Sequence, residues 1–92
     1  MRDFMLIAKP RGGVAPLTSD AFSALMDELR QLAGAVCPDL EWGAEFALGE
    51  GQFFEIFSAP DDETARRVHG IASSTQGICA QVCPLRTASA VL

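Results

Sequence analysis

Residues 41–58, EWGAEFALGEGQFFEIFS, set the strongest condition on how this chain can fold. Apolar and polar residues alternate on both sides of Gly49-Glu50, which predicts two strands folded back on each other at that turn. With a two-residue Gly-Glu turn, Leu48 opposes Gly51, Phe46 opposes Phe53, Ala44 opposes Glu55 and Trp42 opposes Phe57. Directly opposed residues share a face. One face is then Trp42, Phe46, Leu48, Phe53 and Phe57 around a single carboxylate, Glu55. The other carries Glu41, Glu45, Gln52 and Ser58 beside Phe54 and Ile56, too apolar for open surface and too polar for a closed core. We read it as a subunit interface.

The rest of the chain supplies what this hairpin needs. Asp3 to Lys9 is a first strand, apolar on both faces through Phe4-Leu6-Ala8 and Met5-Ile7, as expected of a central strand beside the Phe-rich one. Pro10 ends it, and a loop with Arg11-Gly12-Gly13 and Pro16 leads to a helix start at Thr18, Ser19 and Asp20. That loop lacks the glycine spacing of a phosphate-binding turn and reads as surface. From Ser19 to about Val36, Phe22, Leu25, Met26, Leu29, Leu32, Ala33 and Val36 fall on one helical face. Asp27, Glu28, Arg30 and Gln31 lie opposite, toward solvent.

A second helix opens at Ala59-Pro60-Asp61-Asp62-Glu63, where an Asp cap and an acidic first turn oppose the helix dipole. It runs to about Ser74 with Ala65, Val68, His69 and Ala72 inward and Arg66 and Arg67 outward. Ile78 to Leu85 is the last strand, and residues 86–92 form a frayed tail. The order strand, helix, strand, strand, helix, strand predicts one α+β domain over residues 1–92. It is the ferredoxin-like βαββαβ fold, a four-stranded antiparallel sheet with two helices on one face. Two helices cover only one side of the sheet, so the side carrying Phe54 and Ile56 is expected to pack on the same side of a second chain.

Size and charge narrow the partners. A 92-residue chain buries a modest fraction of its surface, which favours a homodimer. Seven Lys plus Arg against twelve Asp plus Glu give a net charge of −5 with no basic stripe, which disfavours nucleic acid. No apolar run approaches the roughly 20 residues that cross a bilayer, so no membrane association is expected. Cys37, Cys79 and Cys83 are odd in number and Met1 leads straight into a strand, so reduced thiols in the cytoplasm are expected. Cys79 and Cys83 lie about 13 Å apart on one strand, too far to bond or share a zinc ion. All three read as small buried apolar residues.

At Pro38-Asp39-Leu40-Glu41-Trp42, then Phe46, Phe54 and Phe57, then Ala59-Pro60-Asp61-Asp62-Glu63, the chain resembles a known group. It is similar, over roughly residues 36–85, to the small GYD-type and nickel-binding proteins of the dimeric α+β barrel superfamily. The resemblance implies a ferredoxin-like subunit paired through its sheet, with any ligand cleft between the sheet and helices of each subunit. The nickel-binding relatives carry a His soon after the Trp, where this chain has Gly43 and Ala44. The Gly-Tyr-Asp that names the other group falls near Glu50, Gly51 and Gln52. No cofactor and no metal site within one subunit is therefore expected. Nickel enters through the resemblance alone, and a site shared across a dimer stays open.

For chemistry, Glu55 is the one carboxylate on the aromatic face and needs a partner there. His69, the only histidine, sits on the inward stripe of the second helix and is the expected partner, in a pocket with Trp42, Phe46, Phe53 and Phe57. A coupled Glu55–His69 pair in a cleft is a candidate acid–base couple. The competing readings are a structural hydrogen-bonded pair, a His at the helix edge facing water, and aromatics that are plain core. No Ser-His-Asp set, nucleotide loop or metal cluster can be assembled. The function expected is therefore a small-ligand-binding dimer. The alternatives are a cofactor-independent enzyme of the isomerase or monooxygenase kind and a non-catalytic interaction or accessory module.

Overall fold

The structure is a computed structural model that describes residues 1–11, 18–47, 51–74 and 78–85. Its elements are β1 (Arg2–Pro10), α1 (Ser19–Val36), β2 (Glu41–Ala47), β3 (Phe53–Ala59), α2 (Asp62–Ser73) and β4 (Ile78–Pro84). The strands form one four-stranded sheet in the order β2-β3-β1-β4. Every neighbouring pair is antiparallel. This is the ferredoxin-like α+β arrangement, with the Phe-rich β3 and the doubly apolar β1 in the centre. The turn at Gly49-Glu50, the glycines of the 12–17 loop and the tail 86–92 lie outside the described residues.

Both helices begin where their side chains cap free amides. Thr18 accepts a hydrogen bond from the Ala21 amide, and Asp61 accepts from the amide and the hydroxyl of Thr64. These bonds also hold the Asp61 carboxyl below its ordinary range. At the other end of α1 the Cys37 amide closes onto the Ala33 carbonyl at 2.7 Å.

The helices cover one face of the sheet. Phe4, Leu6 and Ala8 of β1, Phe53, Phe57 and Ala59 of β3 and Ile78 of β4 pack there against Phe22, Met26 and Leu29 of α1 and Ala65, Val68 and Ala72 of α2. Phe22 stacks on Phe53 with centroids 4.4 Å apart, and Phe4 stacks on Phe57 at 5.5 Å. The stripe read along α1 is wider than the face it buries: Leu32 and Val36 are 52% and 54% exposed. Among the described residues no helix lies on the opposite side of the sheet. Met5 pairs with Ile56 and Ile7 with Phe54 in register across β1 and β3, and all four are half-buried.

One irregularity changes which residues share a face. Trp42 opposes Phe57 as the alternation predicts, but the register shifts between Trp42 and Glu45. Beyond the shift Glu45 opposes Glu55, Phe46 opposes Phe54 and Ala47 opposes Phe53. A bulge of this kind sends the following side chains to the other side of the sheet. Phe46 therefore leaves the aromatic core face and lies 44% exposed on the open face, its ring 5.3 Å from Phe54. Gly43 sits within the bulge, where a Cβ would meet the Ile56 carbonyl oxygen at 3.1 Å. The absence of a side chain there lets β2 approach β3 closely.

Candidate functional site

The bulge places a second carboxylate, Glu45, beside Glu55 on the helix-covered face, and α1 supplies the cation between them. One nitrogen of the Arg30 guanidinium donates to both Glu45 Oε1 and Glu55 Oε1. The other pairs with Asp27 at 3.3 Å, and the guanidinium carbon lies 5.9 Å from the Trp42 ring centroid. Glu55 itself is fully buried. Burial pushes its carboxyl up to about 7, against the hydrogen bond and charge of Arg30, and the neighbouring Glu45 adds to the rise. Burial disfavours the Arg30 charge in turn, but the bonds and charges of the two carboxylates outweigh it and raise its pKa. Glu55 Oε2 has no hydrogen-bond partner among the described residues. A small cleft of about 140 Å³, bordered by Phe22, Glu45 and Phe53, opens beside this cluster.

His69 belongs to a different place. It is exposed rather than inward, and its Nε2 lies 3.0 Å from the Ala80 carbonyl oxygen of β4 and 3.3 Å from Ser73 Oγ. A carbonyl only accepts, so Nε2 carries a proton and donates to it. The Glu55–His69 couple expected from the sequence is therefore not formed: Glu55 pairs with Arg30, and His69 with β4. Residues Glu45, Glu55, Leu6 and Val82 follow one another across the sheet in register. Two strand spacings, about 10 Å, thus separate Glu55 from Val82, a β4 residue bordering the groove beside His69, with Leu6 between.

That groove runs between α2 and β4, holds about 660 Å³, and is bordered by His69, Arg66, Arg2, Phe4, Val82 and Pro84 among others. Its volume falls in the range of small-molecule sites. Arg2 crosses one end to pair with Asp62 at 2.5 Å, both side chains more than half exposed. An exposed pair of this kind is worth about 0 to 1 kcal/mol and exchanges partners readily. Among the described residues Arg66 makes no ion pair, whereas its neighbour Arg67 pairs with Glu63.

Of the other residues singled out, Trp42, Phe53 and Phe57 lie on the helix-covered face as expected, and Trp42 tilts against Phe57 at 5.4 Å. Phe46 is displaced to the open face by the bulge, which moves Glu45 the opposite way. The three cysteines are free, but Cys37 alone is buried; Cys79 is exposed and Cys83 half-buried, because β4 turns them toward the open face. Among the described residues no three of His, Cys, Asp and Glu come together as a metal-binding set. The functional residue that helical periodicity missed is Arg30, assigned to the solvent face by its position. Its long side chain runs back along the helix surface to the sheet.

No family model matches the chain, and no curated protein matches it significantly. Among solved structures it is similar to SCO4226 from Streptomyces coelicolor A3(2), at 19% identity and TM-score 0.60, over 92% of this chain and 99% of that one. It is similar also to the uncharacterized protein TM1266 from Thermotoga maritima, at 17% identity and TM-score 0.55, over 92% and 98% of the two chains. A third likeness, at 12% identity and TM-score 0.52, is to an amidase of the hydantoinase/carbamoylase family from Burkholderia phymatum. It covers 94% of this chain but only 28% of the amidase. No helix among the described residues is long and apolar enough to cross a membrane. At such identities the shared property is the fold, a ferredoxin-like subunit found both as a whole small protein and as part of a larger chain.

Proposed function

We propose that this chain is a small-ligand-binding homodimer of the dimeric α+β barrel type, in keeping with its resemblance to the GYD-type and nickel-binding proteins. The observation that carries the reading is the groove of about 660 Å³ between α2 and β4, with cationic, hydrogen-bonding and apolar groups on its walls. Dimerisation is supported by the open sheet face, where Met5, Ile7, Phe54 and Ile56 stand beside the exposed Phe46. A second copy, packed sheet to sheet about a twofold axis, covers all five at once. The reading needs no metal, and nickel calorimetry is expected to find no micromolar site. Sedimentation equilibrium at micromolar concentration is expected to give two chains, and Ile56→Asp, which puts a charge in the middle of the face, one. A monomeric wild-type chain overturns the dimer.

A second reading, a cofactor-independent enzyme of the isomerase or monooxygenase kind, is favoured by Glu55. A buried carboxyl that burial raises to about 7, with one oxygen unpartnered among the described residues, is suited to taking and returning a proton near neutrality. Under this reading Glu55→Gln abolishes turnover of a substrate that the wild type converts. Under the binding reading it leaves ligand affinity unchanged.

A further inference from the structure

We infer that the groove between α2 and β4 is a binding site for a small organic carboxylate with an apolar body, with Arg66 taking the carboxylate. The inference rests on the ligand-binding reading above and names its ligand class. The chain carries a formal net charge of −5, yet the groove gathers two guanidinium groups, Arg2 and Arg66, against the single carboxylate of Asp62. Asp62 is already occupied by Arg2. Arg66, without an ion pair among the described residues, is thus the cation available to an incoming anion. A planar guanidinium presents two parallel N–H donors to a carboxylate, a match in geometry as well as charge.

The walls define the rest of the ligand. Val82 and Pro84 offer apolar surface along β4, on the side of the groove opposite Arg66, with the buried Phe4 ring of β1 at its floor. A molecule held there places its charged end on α2 and its apolar body on the sheet. His69 commits Nε2 to the Ala80 carbonyl and leaves Nδ1 to a ligand. Arg66 is the one guanidinium of the groove without an ion pair among the described residues, so a monoanion fits the groove better than a dianion.

The test uses the full chain, isotopically labelled, with benzoate and its uncharged isostere benzamide as probes followed through backbone amide resonances. Benzoate is expected to shift Ala65, His69 and Val82 with millimolar affinity, and benzamide to bind about tenfold or more weakly. Arg66→Gln is expected to weaken benzoate by about tenfold or more. Arg67→Gln, on the neighbouring position of the same exposed helix face, is expected to leave it unchanged and controls for helix integrity. Equal binding of benzamide and benzoate in the groove, or an unchanged benzoate affinity in Arg66→Gln, overturns the carboxylate assignment while leaving a small-ligand groove standing. No shift in the groove with benzoate, benzamide or hexanoate overturns both.

Discussion

Charged groups gather at two places on the helix-covered side of the sheet, and their surroundings differ. Toward β2, Arg30 bridges Glu45 and Glu55, with Glu55 fully buried. Toward β4, Arg2 pairs with Asp62, and Arg66 lies along a groove without an ion pair among the described residues, each of these side chains exposed. In the first place removing a partner strands a charge away from water. In the second, water replaces the partner at once. The same residue types therefore tie α1 to the sheet at one end and remain available to a ligand at the other.

The sharpest way to break this contrast is Arg30→Met. It leaves Glu55 buried without its cation and is expected to cost roughly 3 to 5 kcal/mol at pH 8 in chemical denaturation. At pH 5, where Glu55 is neutral, the loss shrinks. A similar small loss at both pH values means that Glu55 is not held by Arg30.

Next in size is a pH dependence. The folded-state pKa of Glu55, about 7, lies above the 4.5 of an unperturbed glutamate, so the native state holds the proton more tightly. The stability this contributes is fully present below about pH 4.5 and is lost as pH rises through about 7. The expected decline over that window is on the order of 3 kcal/mol. Glu55→Gln, which keeps the shape and cannot ionise, flattens this part of the profile. A profile that rises from pH 5 to 7 in the wild type would place Glu55 among ordinary ion-paired carboxylates.

The bulge that brings Glu45 to the cluster is tested by Gly43→Ala. Its Cβ meets backbone rather than a movable side chain, so a loss of about 1 kcal/mol is expected, with the Glu45 and Phe46 amides shifted most. Smallest is Asp62→Asn in the groove, expected to change stability by less than about 1 kcal/mol while freeing Arg2. A larger loss would make the groove a structural ion pair like the one under α1.

What the sequence disclosed of these regions follows from how local each determinant is. The element order, the central place of β1 and β3 and the helix starts at Thr18 and Asp61 rest on alternation, periodicity and caps within a few residues. Ala47 opposite Phe53 leaves five residues between the strands and so breaks a two-residue-turn register at its start, and the bulge restores that register before Trp42, which is why Trp42 opposite Phe57 was legible. Phe46 was misplaced because an uninterrupted two-residue-turn register carries it to Phe53, and Gly43 in mid-strand was the one signal of a bulge. Arg30 and His69 failed for a shared reason. Helical position fixes where a Cβ points, whereas a long or edge-placed side chain chooses its partner from elements far along the chain, β2 and β3 for Arg30 and β4 for His69.

The division of labour between the two regions is tested most directly by one titration that observes both. Benzoate is added to the wild-type chain with the Glu55 side-chain carboxyl followed by carbon NMR alongside the backbone amides of Arg66, His69 and Val82. The groove amides are expected to move to saturation while the Glu55 carboxyl signal and its midpoint near pH 7 stay where they were. A Glu55 signal that follows the ligand in step with the groove, or ahead of it, would make the buried carboxyl part of the site and undo the separation of the two regions.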